Sequence, residues 1–220
     1  METYRYDEDF DFFLEEFSEP HDCQTARDAV IQEYQAKLPP QLFKYWQALG
    51  WCGYGNGLLW MTNPAEYQPI LDNWLTGTLF EERNDLSVIA RSAFGELYVW
   101  AKGKGKVLKI NPIISTIFYF PEDDQNNYTL EEENKYMRYF WGTKKVKFID
   151  NTDENEQPMF DRALKTLGPL KSDEMYGLKF ARMLGGDISL DNLGIMKLEV
   201  YHDIARQMDT PQMIVIDNLN

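Results

Sequence analysis

The chain has 220 residues, 44% of them hydrophobic and 15% aromatic, which suffices for one sizeable core or two small ones sharing an interface and argues against extended disorder. Its 36 acidic residues outnumber 22 basic ones for a formal charge of -14, a balance that repels nucleic acid and anionic membranes while speeding encounter with a basic partner. No apolar run approaches the roughly 20 residues that span a bilayer.

The opening Met1-Glu2-Thr3-Tyr4-Arg5-Tyr6-Asp7-Glu8-Asp9 has neither the basic nor the apolar segment of a secretory leader, so a cytoplasmic location is expected. Phe10, Phe13, Leu14 and Phe17 then recur at helical spacing behind acidic residues that complement the helix dipole. Cys23 lies far from Cys52 and outside any C-x-x-C spacing, and the two are expected to be unrelated thiols, neither bridged nor zinc-binding. Val30, Ile31 and Tyr34 form a second stripe stopped by Pro39-Pro40, and Leu42, Trp46 and Leu49 a third before Gly50, so the first 50 residues read as mostly helical.

Trp51 to Gly57 reads as a Gly-rich turn, followed by a strand from Leu58 to Met61. Asn63, Pro64 and Glu66 announce a helix buried through Tyr67, Ile70, Leu71, Trp74 and Leu75, in which Pro69 predicts a kink or a separate first turn. Leu86 to Ala90, Glu96 to Ala101, Lys106 to Ile110 and Ser115 to Phe120 predict a four-stranded antiparallel meander, with Lys102 and Lys104 in a solvent-facing hairpin link.

Pro121 to Asn127 reads as an acidic loop, and Thr129 with Glu132 as a capping box for a helix carrying Met137, Phe140 and Trp141. Phe160, Ala163, Leu164 and Leu167 mark another helix, closed by Gly168-Pro169. Met175 to Leu184 reads as a strand or a short helix, with strand-like structure favoured before Gly185-Gly186, Ser189 as the cap of a last helix from Met196 to Met208, and Met213 to Ile216 as an edge strand. The fold class is α+β: a helical N-terminal region, an antiparallel meander in the middle, and helices with a short strand in the C-terminal part.

Chemistry-bearing constellations are weak. His21 reads as lying in a polar loop and His202 has no neighbouring nucleophile, so both read as structural or surface residues. Gly53, Gly55 and Gly57 follow a helix and lack the Lys-Ser/Thr of a phosphate loop. Glu122-Asp123-Asp124 lacks the alternating ligands and glycine of a calcium loop. No catalytic residue, metal or cofactor is expected. Three acidic stretches stand out as contact candidates for a basic partner: Glu81, Glu82 and Asp85; Glu122, Asp123 and Asp124; and Asp153, Glu154 and Glu156. Glu131, Glu132 and Glu133 are explained by capping instead. Two small basic stretches, Lys102 to Lys106 and Lys144 to Lys147, are outweighed by the overall charge.

Leu38-Pro39-Pro40-Gln41-Leu42 leading to Tyr45-Trp46, the run Gly50-Trp51-Cys52-Gly53-Tyr54-Gly55-Asn56-Gly57-Leu58-Leu59-Trp60, and Asn63-Pro64-Ala65-Glu66-Tyr67 resemble the GAD-like domain. Leu167-Gly168-Pro169-Leu170, Asp173-Glu174-Met175-Tyr176-Gly177 and Leu184-Gly185-Gly186 resemble the C-terminal domain of type VI secretion immunity proteins against DNase effectors. The resemblance implies residues 1–120 as a GAD-like domain, with 1–24 a private elaboration, and 121–220 as the immunity-family domain, packed as one unit. It further implies a non-enzymatic protein that binds a cognate nuclease toxin, expected to be basic and encoded next door, with no nucleic-acid or membrane partner. A regulatory or scaffold protein with the same acidic surface is the alternative. Neither reading sets the oligomeric state.

Overall fold

The computed structural model describes residues 5–217, so Met1 to Tyr4 of the acidic opening lie outside the described residues. Helix α1 (Glu8–Phe17) starts where the Asp7 carboxylate accepts from the Phe10 N–H at 3.0 Å. Phe10, Phe13 and Phe17 are fully buried. Strand β1 (His21–Gln24) follows, so the opening region is not helical throughout. Helices α2 (Asp28–Tyr34) and α3 (Pro40–Leu49) fall where the apolar stripes place them, and Pro40 serves as a first-turn residue that needs no N–H partner.

Trp51 to Tyr54 forms strand β2 rather than part of a turn, and the turn is confined to Gly55–Gly57. All four residues of β2 are buried, so the strand shows no alternation by which to be recognised. Strand β3 (Leu59–Met61) leads into α4 (Pro64–Leu75), one continuous helix with Pro69 inside it and no separate first turn.

The meander is present as β4 (Leu86–Ser92), β5 (Leu97–Ala101), β6 (Gly105–Asn111) and β7 (Thr116–Tyr119), each antiparallel to the next. Of the two hairpin lysines only Lys102 is exposed; Lys104 donates to the carbonyls of Asp124 at 2.6 Å and Asn126 at 3.2 Å. The acidic stretch expected to be a loop contains a short helix, α5 (Pro121–Gln125), with Pro121 at its first position and three carboxylates in its first turn.

The capping box opens α6 (Leu130–Gly142) as expected. After α7 (Val146–Ile149) and α8 (Phe160–Leu167) come β8 (Glu174–Leu178) and β9 (Leu193–Lys197), a separate antiparallel pair. Helix α9 (Leu198–Met208) begins later than the apolar pattern suggests, because Met196 is committed to β9. Ser189 caps a turn instead, accepting from the Asn192 N–H at 3.3 Å. Strand β10 (Gln212–Val215) then joins the main sheet.

That sheet has the order β1-β2-β3-β4-β5-β6-β7-β10, antiparallel except for the final β7-β10 pair. One apolar core runs from Phe10 to Ala205 through both halves of the chain. Helix α1 reaches α6 through Phe13, whose ring lies 5.3 Å from Trp141, and Phe10 stacks on Tyr45 of α3 at 4.0 Å.

Pairing of β1 with β2 corrects the expectation of two unrelated thiols: Cys23 and Cys52 lie 4.2 Å apart at Cα and form a disulfide. Gly50 allows this approach, since its φ is +83° and a Cβ there would run into the Gln24 carbonyl. His21, expected in a polar loop, is half-buried in β1 with its ring 5.4 Å from Trp60, and burial lowers its pKa.

Candidate functional site

The three acidic stretches behave differently once folded. Arg83 joins the first two. Its Nε and Nη2 each donate to Asp85 at 2.7 Å, and its Nη1 donates to both oxygens of Asp124 at 2.9 Å. Tyr119 adds an O–H donated to Asp124 at 3.0 Å. This planar fork between two carboxylates suits a guanidinium and holds the Asp85 carboxyl below its ordinary range. Asp123 accepts from the Tyr136 hydroxyl at 3.1 Å, and burial raises its pKa. Asp85, Asp123 and Asp124 are therefore engaged within the fold. Glu81 is exposed and accepts from the Gly77 N–H at 3.0 Å, and Glu82 and Glu122 are exposed as well.

In the third stretch Asp153 organises its own loop. It accepts from the N–H groups of Asn155 at 2.9 Å and Gln157 at 3.0 Å and pairs with Arg162 at 2.6 Å, which depresses its pKa. Glu154 pairs with Arg182 at 3.0 Å on the surface, and Glu156 is exposed with φ at +59°. Asp153 and Glu154 share an open cleft of about 270 Å³ with Asp187 and Asp191, two carboxylates from a later loop that sequence spacing could not place there. Among the described residues no group of three or more His, Cys, Asp or Glu is disposed to hold a metal ion.

A seam between the two halves is a feature the sequence reading did not contain. Arg91 of β4 is fully buried and donates to the Tyr67 hydroxyl at 3.2 Å and to the Ser172 carbonyl at 2.8 Å, with its Cζ 4.6 Å from the Trp60 ring centre. Burial lowers its pKa, opposed first by Tyr67. Nearby, α4 and α9 are joined by Asn73 donating to Asp203 at 3.0 Å and by Arg206 donating to the carbonyls of Asn73 at 3.2 Å and Thr76 at 2.7 Å. Between these contacts opens a groove of about 450 Å³, whose walls include Gln24, Glu66, Tyr67, Asp173, Lys197 and Glu199. A buried arginine in a strand reads from sequence as an ordinary surface charge, so nothing in its neighbours disclosed the seam.

His202 is fully buried and its Nδ1 accepts from Trp74 Nε1 at 2.8 Å, while burial pushes its pKa down to about 3. It is a neutral structural imidazole, in agreement with the reading from sequence. No described helix is long and apolar enough to cross a membrane. An exposed apolar groove of about 210 Å³ lies on the C-terminal half, bordered by Phe180, Leu184, Ile204 and Met208.

Comparison with known proteins agrees with this architecture. Residues 8–114 match the GAD-like domain family, and residues 133–209 match the family described as T6SS immunity protein Tdi1, C-terminal. The first match begins at residue 8 and takes in α1. No curated protein matches the sequence significantly. A solved structure, described as the crystal structure of Atu4351 from Agrobacterium tumefaciens, superposes with a TM-score of 0.83 at 21% identity, covering 94% of this chain and 92% of that one. At that identity the likeness establishes a shared fold. In order along the chain, residues 8–114 are thus similar to the GAD-like domain and residues 133–209 to the C-terminal domain of the Tdi1 type VI secretion immunity family.

Proposed function

We propose that this chain is an immunity protein that binds a cognate type VI secretion nuclease, a DNase, and neutralises it by occluding its catalytic or DNA-binding surface. The observation that carries the reading is the match of residues 133–209 to the Tdi1 immunity family. The charge of -14 supports a basic partner, because a DNA-binding surface is positive and an acidic inhibitor both approaches it quickly and competes with phosphate. The action is binding, not catalysis, and it takes place in the cytoplasm, where a DNase meets its substrate. The domain limits we propose, 1–120 and 121–220, are supported by family matches over 8–114 and 133–209, and the Arg91 contact with Ser172 supports the halves packing as one unit.

The contact residues are the exposed members of the acidic stretches, Glu81, Glu82, Glu122, Glu154 and Glu156. An interface on the order of 1,600 Å² is sufficient for a stable one-to-one complex. Co-expression with the product of the neighbouring gene, followed by a DNA-degradation assay, tests this. A stable complex without DNA cleavage is expected. No complex, or a toxin still active within it, would put an acidic regulatory or scaffold protein in its place.

A further inference from the structure

One lysine from each of two basic stretches, Lys106 and Lys144, comes to one face of the main sheet together with Lys109. In register, Lys109 of β6 lies between Tyr98 of β5 and Phe118 of β7, and Lys106 lies opposite Trp100. Strand residues three apart ordinarily point to opposite faces. Here the pairing steps from Val99 with Leu108 to Trp100 with Lys106, leaving Val107 as the extra residue of a bulge, and both lysines share a face. Lys144, just past the end of α6, comes over the same face. Its Nζ is 3.8 Å from the Phe140 ring centre and 4.8 Å from that of Tyr98. Lys106 Nζ sits 3.6 Å from the Phe120 ring centre and Lys109 Nζ 4.8 Å from that of Phe118.

The carboxylates facing these ammoniums are Glu96 and Asp123. Glu96 Oε1 already accepts from Lys109 at 3.0 Å and from Asn111 at 2.8 Å, and Asp123 accepts from Tyr136. Among the described residues, neither Lys106 nor Lys144 has a carboxylate at ion-pair distance. Burial lowers the pKa of Lys144 to about 7, with Lys106 and Lys109 pushing the same way, and that of Lys106 to about 8, where Asp123 opposes the shift ahead of the further lowering by Lys109. Three half-covered cations sharing one contact carboxylate invert the charge of a chain with 36 acids and 22 bases. Clustered, partly desolvated ammoniums are unfavourable without a counter-charge.

The geometry points to a binding site for a compact divalent oxyanion of the sulfate and phosphate class, held by Lys106, Lys109 and Lys144 on the sheet face beside the end of α6. A nucleobase is not what the surface fits, because the ammoniums lie over the rings on which a base would stack. The net charge of -14 opposes a long polyanion but not a small one. Lysine supplies three rotatable donors per ammonium, suited to a tetrahedral oxyanion as a point charge.

The test is a titration of the full chain with sulfate against chloride at matched ionic strength, followed by NMR of the lysine methylenes and phenylalanine rings. Saturable shifts confined to Lys106, Lys109, Lys144, Phe118, Phe120 and Phe140 are expected. Sulfate keeps its charge while the lysines lose theirs, so affinity should weaken at least about tenfold as pH rises from below 7 to above 9. The double variant Lys106→Met and Lys144→Met keeps apolar stems over the rings and should lose the response while holding its thermal midpoint in chloride.

Equal responses in both proteins, or shifts that never saturate, would overturn the proposal and leave the lysines as covers for aromatic rings. Inorganic phosphate and a 5′-mononucleotide form further arms: equal affinities mean that the phosphate group alone is bound, and a tighter nucleotide names nucleotides as the source. A short single-stranded oligonucleotide that binds more tightly than all of these would replace the site with a nucleic-acid surface. No toxin enters the experiment, so its outcome is separate from that of the immunity reading.

Discussion

Trp74 and His202, one in each family-matched region, meet in the core, where the indole N–H donates to the imidazole Nδ1 at 2.8 Å. The bond fixes the neutral imidazole, since a protonated ring has no lone pair to offer Trp74.

That contact makes stability pH-dependent with a defined sign. The folded His202 has a pKa of about 3, below the ordinary value of 6.5. On acidification the unfolded chain takes the proton first, so the contribution is intact above pH 6.5 and is lost as pH falls towards 3, by up to about 1.4 kcal/mol per unit. Urea midpoints between pH 7 and 5 should fall in the wild type. In His202→Phe the fall should be smaller, from a baseline lowered by about 1–3 kcal/mol because Trp74 loses its acceptor.

Arg91 should be among the most sensitive positions in the chain. Arg91→Ala removes the donor to the Ser172 carbonyl and the partner of Tyr67 and opens a void beside Trp60, a combination worth about 3–5 kcal/mol. Denaturant unfolding together with limited proteolysis near residues 171–172 would register it. A loss under about 1 kcal/mol would mean that the seam is held elsewhere.

The acidic stretches should divide by role. Reversing Glu81, Glu82, Glu122, Glu154 and Glu156 to lysine should leave the fold intact and weaken inhibition, most strongly at low salt. Asp124→Asn should instead lower stability by about 1–3 kcal/mol, since it breaks one arm of the Arg83 fork. Paired inhibition and unfolding assays decide this. Inhibition that survives reversal of every exposed cluster would remove the electrostatic account.

The Cys23–Cys52 bridge closes a loop with a sequence separation of 29, for which chain entropy gives a stabilisation of about 3.6 kcal/mol in the oxidised protein. Cys23→Ser should lower the unfolding midpoint of oxidised material accordingly and leave reduced material nearly unchanged. A cytoplasmic location predicts open thiols in living cells, because that compartment keeps cysteines reduced. Alkylation before lysis should label both. A bridge resistant to labelling would assign the protein to an oxidising compartment.

Helices with a dry face and a signalled start were legible in advance: α1 from its phenylalanine spacing, α4 from Asn63 and Pro64, α6 from the Thr129 and Glu132 box. The meander was legible from its short apolar runs between Gly, Pro and Asn. Strands β1 and β2 were not. One is a mostly exposed edge of four polar or small residues and the other is buried on every residue, so neither alternates.

The sequence by itself determined the class of the fold and the sign of the net charge, because periodicity, capping and composition act over a few residues or over the whole chain, and its motifs carried the resemblance to two families. Only the tertiary structure decided which charges are spent and which remain. Arg83 pairs both with Asp85 beside it and with Asp124 at a separation of 41 residues, Asp187 and Asp191 join Asp153 from a distant loop, and a one-residue bulge at Val107 gathers lysines that strand periodicity separates. Ion pairs, disulfides and strand registers depend on where the backbone brings groups together in space, and no local pattern encodes that meeting.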